Sequence, residues 1–402
     1  MNAILVAANY QKIEYDLETS INELISLSEA CNIFVKEVII QNIDKINSAT
    51  YIGIGKVFEI KEIIDEDDLV IFNEELSPLH LKNLTDLLNV EVLDRSDLIL
   101  RIFESRANTK ESKLQVEIAK KEYMLPRLIG MNEHLYSQLG GKGFRGSGET
   151  KLELDRRRIT RQVHKAKKEL VEIKKERQIQ RSSRQKRNIK QVALVGYTNS
   201  GKSSLLNLYT DKKVLQKDML FATLQTSSRK VRMKNHELIL SDTVGFINQL
   251  PHHLIEAFKS TLEEVIVADL ILLVIDSSSY YYQTQIETTL KVLDELGVKN
   301  TPILYVFNKI DLIDDFIENY HPSVSISVKD HINIDLLEDL MIEMLYKEEE
   351  CILHIPYNKG ELYSSLTNIS NILDTKYEEE YIEVRCNIEN SLIHKYKDFI
   401  VK

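Results

Sequence analysis

The sequence predicts an α/β protein built in four parts, and three observations predict it. Short apolar runs alternate with amphipathic stretches over roughly the first hundred residues. A strand, a glycine loop and a helix follow one another directly from Val192. Between these two regions lies a charge-rich stretch with long helical periodicity. The chain has 402 residues, which at about 150 residues per domain leaves room for more than one core. The division expected is 1–104, an N-terminal parallel α/β domain; 105–187, a long α-helical hairpin; 188–349, a second α/β domain; and 350–402, a small C-terminal α/β domain.

Composition excludes several classes. With 43% hydrophobic and 28% charged residues, neither wholesale disorder nor a collagen-like fibre is expected. Cys31, Cys351 and Cys386 are far apart and form no C-x-x-C pair, so neither a disulfide framework nor a zinc site is expected. The N-terminal stretch MNAILVAANYQKIEYD lacks a basic n-region, and no run reaches the roughly 18 apolar residues that span a bilayer. These features predict a cytoplasmic protein with no membrane partner. The net charge of -10 argues against nucleic acid, but it is an average. Between Lys151 and Lys190 there are 16 Lys/Arg and 5 Asp/Glu, so this window carries +11 and the remainder -21. A basic segment set in an acidic body can still bind phosphate backbones, although a solvated helix face would read the same way.

In the N-terminal part, Ile4 to Ala7, Phe34 to Ile40, Leu69 to Phe72 and Val90 to Leu93 read as strands, with a helix over Leu79 to Leu88. The alternation predicts a largely parallel sheet. Gly53-Ile54-Gly55-Lys56 lacks the full spacing of a phosphate loop and reads as a strand-to-helix turn. In the hairpin, one stripe carries Leu114, Ile118 and Leu125, and another carries Leu152, Ile159, Val163, Ala166, Leu170 and Ile173. Pro126 predicts a kink or a restart of the first helix. The connection LGGKGFRGSGET holds five glycines, Lys142, Phe144 and Arg145. Glycines let a backbone approach a surface closely, the two cations suit phosphates, and Phe144 can stack on a base, so this tip is the candidate RNA contact. A plain linker is the alternative.

The decisive motif is QVALVGYTNSGKSSLLNLY. The apolar strand Val192 to Val195 runs into Gly196, Tyr197, Thr198, Asn199, Ser200, Gly201, Lys202 and Ser203, and a helix follows. This context is the one a P-loop requires: backbone N–H groups wrap the β-phosphate, Lys202 bridges to the γ-phosphate, and Ser203 binds magnesium. Downstream, Asp242-Thr243-Val244-Gly245 ends the strand beginning at His236, and Asp242 suits magnesium through water. Asn308-Lys309-Ile310-Asp311 follows the strand Ile303 to Phe307; the Asp311 carboxylate accepts two hydrogen bonds from guanine, which adenine cannot supply. Ser327, Val328 and Lys329 fit the position that closes over the guanine carbonyl. Within Phe221-Ala222-Thr223-Leu224-Gln225, Thr223 is the candidate magnesium ligand sensitive to the γ-phosphate, with Thr226 second.

Together these motifs predict a Ras-like P-loop GTPase domain with Mg2+ as cofactor. Many GTPases place a water-orienting glutamine after Asp-x-x-Gly, whereas Phe246 stands here and supplies no hydrogen-bonding group. Turnover by the chain alone is therefore expected to be slow, and a partner surface or another side chain must order the site. His252, His253 and Glu256 lie nearby and receive no catalytic role.

The chain resembles the HflX family of ribosome-associated P-loop GTPases, in the Obg-HflX superfamily, along nearly its whole length. The stretches that carry the resemblance are FNEELSP, KLQVEIAKKEYMLPRL, the glycine loop running into GETKLELDRR, GYTNSGKSS, LFATL, DTVGFINQLPHHLIEAFKSTLEE and NKID. It implies a GTP hydrolase that binds the large ribosomal subunit and its rRNA and splits stalled or idle ribosomes, with the hairpin loop entering the peptidyl-transferase region. By motif position, it places magnesium on Ser203 and Thr223. GTP and GDP are the ligands expected, with no DNA and a monomer when free. Departures occur at Gln225-Thr226, where the family has Asp-Pro, at Val328, where Ala is usual, and in the glycine loop, a pattern compatible with a specialised factor for antibiotic-stalled ribosomes. The competing reading is a GTP-gated RNA-remodelling factor in ribosome assembly. The C-terminal part reads as strands Ile352 to Ile355 and Tyr381 to Cys386, with a helix near Glu361 to Leu373.

Overall fold

The computed structural model describes residues 1–402 except 11–16, 139–147, 186–188, 211–220, 222–226, 235, 244, 248–261, 314–318, 347, 390–392, 394 and 402. At the N-terminus, β1 (Asn2–Tyr10), β2 (Phe34–Ile43), β3 (Leu69–Phe72) and β4 (Glu91–Asp94) form a parallel sheet in the order β2-β1-β3-β4. Alternate residues of the central strands enter different cores. Ala3, Leu5, Leu69 and Ile71 pack with α1 (Leu17–Ala30), while Ile4, Val6, Val70 and Phe72 pack over α2 (Ile54–Ile63) and α3 (Pro78–Leu88). Burial on both faces is why these strands read as continuous apolar runs and not as alternating ones. The Ser77 side chain caps α3 by accepting from the His80 N–H at 3.2 Å, and Pro78 opens it. Gly53 precedes α2, as the turn reading requires.

α4 (Arg95–Arg106) leads into α5 (Lys110–Gln138), which pairs with α6 (Gly148–Gln185). Ile118, Val163 and Ala166 form the seam, with Leu114, Ile159 and Leu170 packed beside it. The restart anticipated at Pro126 does not occur: α5 runs through it. Proline has no N–H for the carbonyl four residues back, that of Glu122, and in the same turn Arg127 Nη1 donates to the Tyr123 carbonyl at 3.1 Å. The glycine-rich tip, with Lys142, Phe144 and Arg145, lies outside the described residues.

The next sheet has the order β10-β9-β8-β5-β7-β6, comprising β5 (Lys190–Val195), β6 (Ser227–Met233), β7 (His236–Asp242), β8 (Leu270–Asp276), β9 (Ile303–Asn308) and β10 (Ser323–Ser325). β6 runs antiparallel to β7, and the remaining pairs are parallel. α7 (Lys202–Leu208) follows β5 directly. The C-terminal part is an antiparallel sheet in the order β11-β13-β12, comprising β11 (Glu348–Pro356), β12 (Asn371–Tyr377) and β13 (Tyr381–Glu389). Its helix ends at Ile369, and Asn371–Tyr377 is a strand, which corrects the helix read through Leu373. Pairing with β13 outweighs the local pattern there, a tertiary effect that periodicity does not carry. Among the described residues no helix is long and apolar enough to cross a membrane.

Candidate functional site

Three strand ends of the second sheet and the loop after β5 converge at one edge. Gly196 and Gly201 have φ of 149° and 99°, and a Cβ on either would lie 2.1 Å from the Val274 carbonyl oxygen or 2.2 Å from Asn308 Nδ2. Only glycine fits these positions, because backbone and amide already occupy the space a side chain would take. Asn308 ties the site together: its Nδ2 donates to the Ser200 carbonyl at 2.9 Å, and its Oδ1 accepts from the Val328 N–H at 3.1 Å. One buried amide thus joins the phosphate loop, the end of β9 and the segment after β10.

The residues read for base recognition come together. Asp311 Oδ1 accepts from the Ser327 hydroxyl at 2.6 Å, and Lys329 Nζ stands 3.9 Å from the other carboxylate oxygen. Lys309 adopts φ of 67° and donates to Asp276 Oδ2 at 2.6 Å, which stretches its stem across the site. Sequence reasoning missed Asp276, although a carboxylate closing the apolar run LILLVI was a legible signal.

At the phosphate end, Lys202 is buried and its ammonium donates to the Tyr197 carbonyl at 2.5 Å. Burial pushes this lysine down to about 8, with the Asp242 carboxylate opposing the shift. A phosphate would offer the ammonium a stronger, charge-assisted partner than a carbonyl. Ser203 Oγ donates to Asp242 Oδ2 at 2.7 Å at the start of α7. An oxygen-only pair beside a phosphate loop is the donor set a hard divalent cation takes, so these residues fit magnesium. Thr243 Oγ1 donates to the Leu194 carbonyl at 2.7 Å and serves the frame. A Cβ on Gly245 would lie 2.9 Å from Thr198 Cγ2 and 3.1 Å from Lys202 Nζ, so this glycine backbone sits directly over the loop. Ala222, Thr223, Leu224, Gln225 and Val244 lie outside the described residues.

Phe246 bridges to the loop through its backbone, donating to the Gly196 carbonyl at 3.1 Å and accepting from the Thr198 N–H at 2.9 Å. Its ring is 2% exposed and packs in the apolar cluster with Tyr197, Leu262 and Val265. The side chain at the usual glutamine position therefore points into the core. Two neighbouring apolar groups reach the N-terminal core instead: Phe221 meets Phe103 edge-on at 4.7 Å between ring centroids, and Ile247 joins the same cluster. No periodicity or motif announced this packing.

A largely parallel sheet whose strand β5 feeds a glycine-built P-loop, with Asn308-Lys309-Ile310-Asp311 locked to it, defines a P-loop GTPase, and the chain hydrolyses GTP. Residues 18–104 match the model "GTP-binding GTPase N-terminal", 106–184 match "GTP-binding GTPase Middle Region", and 191–309 match "50S ribosome-binding GTPase". The chain belongs to the HflX family of GTPases. It is 42% identical to the GTPase HflX of Caldanaerobacter subterraneus subsp. tengcongensis over 388 residues, covering 96% of this chain and 91% of that one. To the GTPase HflX of Escherichia coli K12 it is 37% identical over 392 residues, covering 95% and 90%. Among solved structures it is similar to a GTP-binding protein from the archaeon Sulfolobus solfataricus in complex with GDP, at 28% identity, 86% and 99% coverage and a TM-score of 0.46.

Proposed function

We propose that this GTPase binds the large ribosomal subunit and, with GTP, separates stalled or idle ribosomes into subunits. The observation that supports the reading most is the pairing of a buried Phe246 with an exposed basic hairpin. The chain offers no side chain at the glutamine position to orient the attacking water, and its hairpin presents cations suited to an RNA surface that could complete the site. The "50S ribosome-binding GTPase" match over residues 191–309 agrees in partner. The proposed parts are 1–104, 105–187, 188–349 and 350–402.

In this reading Gly196 to Ser203 hold the phosphates. Asp311, Lys309 and Ser327 to Lys329 hold guanine, while Lys142, Phe144 and Arg145 meet rRNA. Ser203, Thr223 and, through water, Asp242 hold Mg2+, which when bound neutralises charge on the β- and γ-phosphates. Lys202 supplies a fixed positive charge to the same oxygens, and the Gly245 N–H faces them.

GTP turnover with and without large subunits tests the partner, and sedimentation of mature ribosomes tests the outcome. Stimulation together with conversion of coupled ribosomes to free subunits is expected. Stimulation without splitting would favour the assembly reading, and no greater effect than a housekeeping relative on drug-treated ribosomes would remove the antibiotic-specific role.

A further inference from the structure

Tyr197, the residue after the loop's opening glycine, carries its hydroxyl out of its own domain. The ring lies in the apolar cluster with Phe246, but the hydroxyl donates at 2.8 Å to Oε1 of Glu23, on α1 of the N-terminal domain. The other carboxylate oxygen of Glu23 accepts from Arg95 Nη2. Arg95 is itself held at the end of the N-terminal sheet, donating to Asn73 Oδ1 at 3.1 Å and the Ser20 carbonyl at 3.4 Å. The Arg95 and Glu23 side chains are 2% and 9% exposed, so this pair is shielded from water and fixed in place.

The main chain around Tyr197 is equally engaged. Its carbonyl accepts from Lys202, and the flanking Gly196 and Thr198 exchange hydrogen bonds with Phe246. Where the phenol is held, the first turn of the phosphate loop is held as well.

We propose that Glu23 is a positioning residue of the phosphate loop, contributed by the N-terminal domain and acting through the Tyr197 hydroxyl. The nucleotide site is then complete only when that domain is docked. This rests on the reading of Gly196 to Ser203 as the phosphate loop. A loop arranged before binding loses less order on meeting a ligand, so the link strengthens GDP and GTP binding alike. Its removal raises KM and leaves kcat, the signature of lost uniform binding.

The test uses the full chain, fluorescent GDP and GTP analogues, and steady-state turnover. Tyr197→Phe keeps the ring and the Glu23–Arg95 pair; it is expected to weaken both nucleotides by about fivefold to tenfold, within the net range of a typical hydrogen bond. Glu23→Gln keeps an oxygen acceptor and is expected to stay within about twofold of the parent, whereas Glu23→Leu matches Tyr197→Phe and adds nothing when combined with it. Should Glu23→Leu fail to fold, Tyr197→Phe and Glu23→Gln carry the test. If Tyr197→Phe lowers only the melting temperature and leaves both affinities intact, the bond merely joins domains and the proposal is overturned; additive losses in the double variant overturn it too. Lys202→Ala separates the two readings: retained binding there sinks the loop assignment itself, while lost binding beside an unaffected Tyr197→Phe sinks only the role of Glu23.

Discussion

At Phe246 two backbone hydrogen bonds hold the main chain against the loop, so the direction of the side chain is set by the strand-like bridge and not by the ligand. A glutamine placed there inherits that direction and buries an amide in an apolar cluster. Phe246→Gln is therefore expected to leave single-turnover GTP hydrolysis no faster and to destabilise the fold by about 2–4 kcal/mol, measured by denaturant unfolding. In the proposed site the Asp311 carboxylate holds guanine, and Asp311→Asn is then expected to lower the GTP-over-ATP affinity ratio by at least about tenfold in competition binding. Glu74 follows a different logic. Burial pushes its carboxyl up from 4.5 to about 7, against the opposing effects of the Asn73 amide, backbone donors and Arg95. The folded state thus binds a proton that the unfolded chain releases, and stability from this group is lost as pH rises from about 4.5 through 7. Glu74→Gln is expected to flatten that slope and to stabilise the protein above pH 7 by on the order of 2 kcal/mol, read from urea unfolding at either end of the window.

Among the elements, α5 is the joint between the hairpin and the N-terminal domain. Asp94, fully buried, accepts from the Leu76 and Asp97 N–H groups at 3.0 Å each, from Arg127 Nη2 at 2.6 Å and from the Tyr123 hydroxyl at 2.5 Å. The Arg127 guanidinium also stacks 3.2 Å over the Tyr123 ring. One carboxylate therefore caps α4 and anchors α5 at the turn where Pro126 removes a backbone bond. Arg127→Met leaves that buried charge without its cation, and a loss of about 3 kcal/mol in unfolding free energy is expected. Much of this arrangement was legible in part: the apolar stripes of α5 and α6 named their own seam, and the strands of the first sheet announced themselves as buried runs. The ion pair was not, because Asp94 and Arg127 are 33 residues apart and each is an ordinary surface type taken alone.

For the molecule as a whole, charge and apolar packing divide the hairpin. Val163 and Ala166 are buried in the seam, while Lys165, Lys167 and Lys168 are exposed along the same helix. Reversing these three charges is expected to weaken binding to large subunits and to reduce its salt slope by roughly one for each phosphate no longer neutralised, with GTP affinity unchanged. Sedimentation at two salt concentrations and nucleotide titration check the two halves of that expectation. The surface ion pair of Lys167 with Glu122 is removed as well, at little cost to stability because both groups are solvated.

The sequence by itself determined the parallel N-terminal sheet, the helical hairpin and a P-loop GTPase domain, since each depends on neighbours within a strand, a turn or a motif of a few residues. Only the tertiary structure decided that Phe246 faces the core, that Phe221 and Ile247 lodge in the N-terminal domain, and that Glu23 reaches Tyr197 across 174 residues. Those interactions join separate elements, and their energy comes from groups that meet only after each element has folded, so no local pattern in the chain records them.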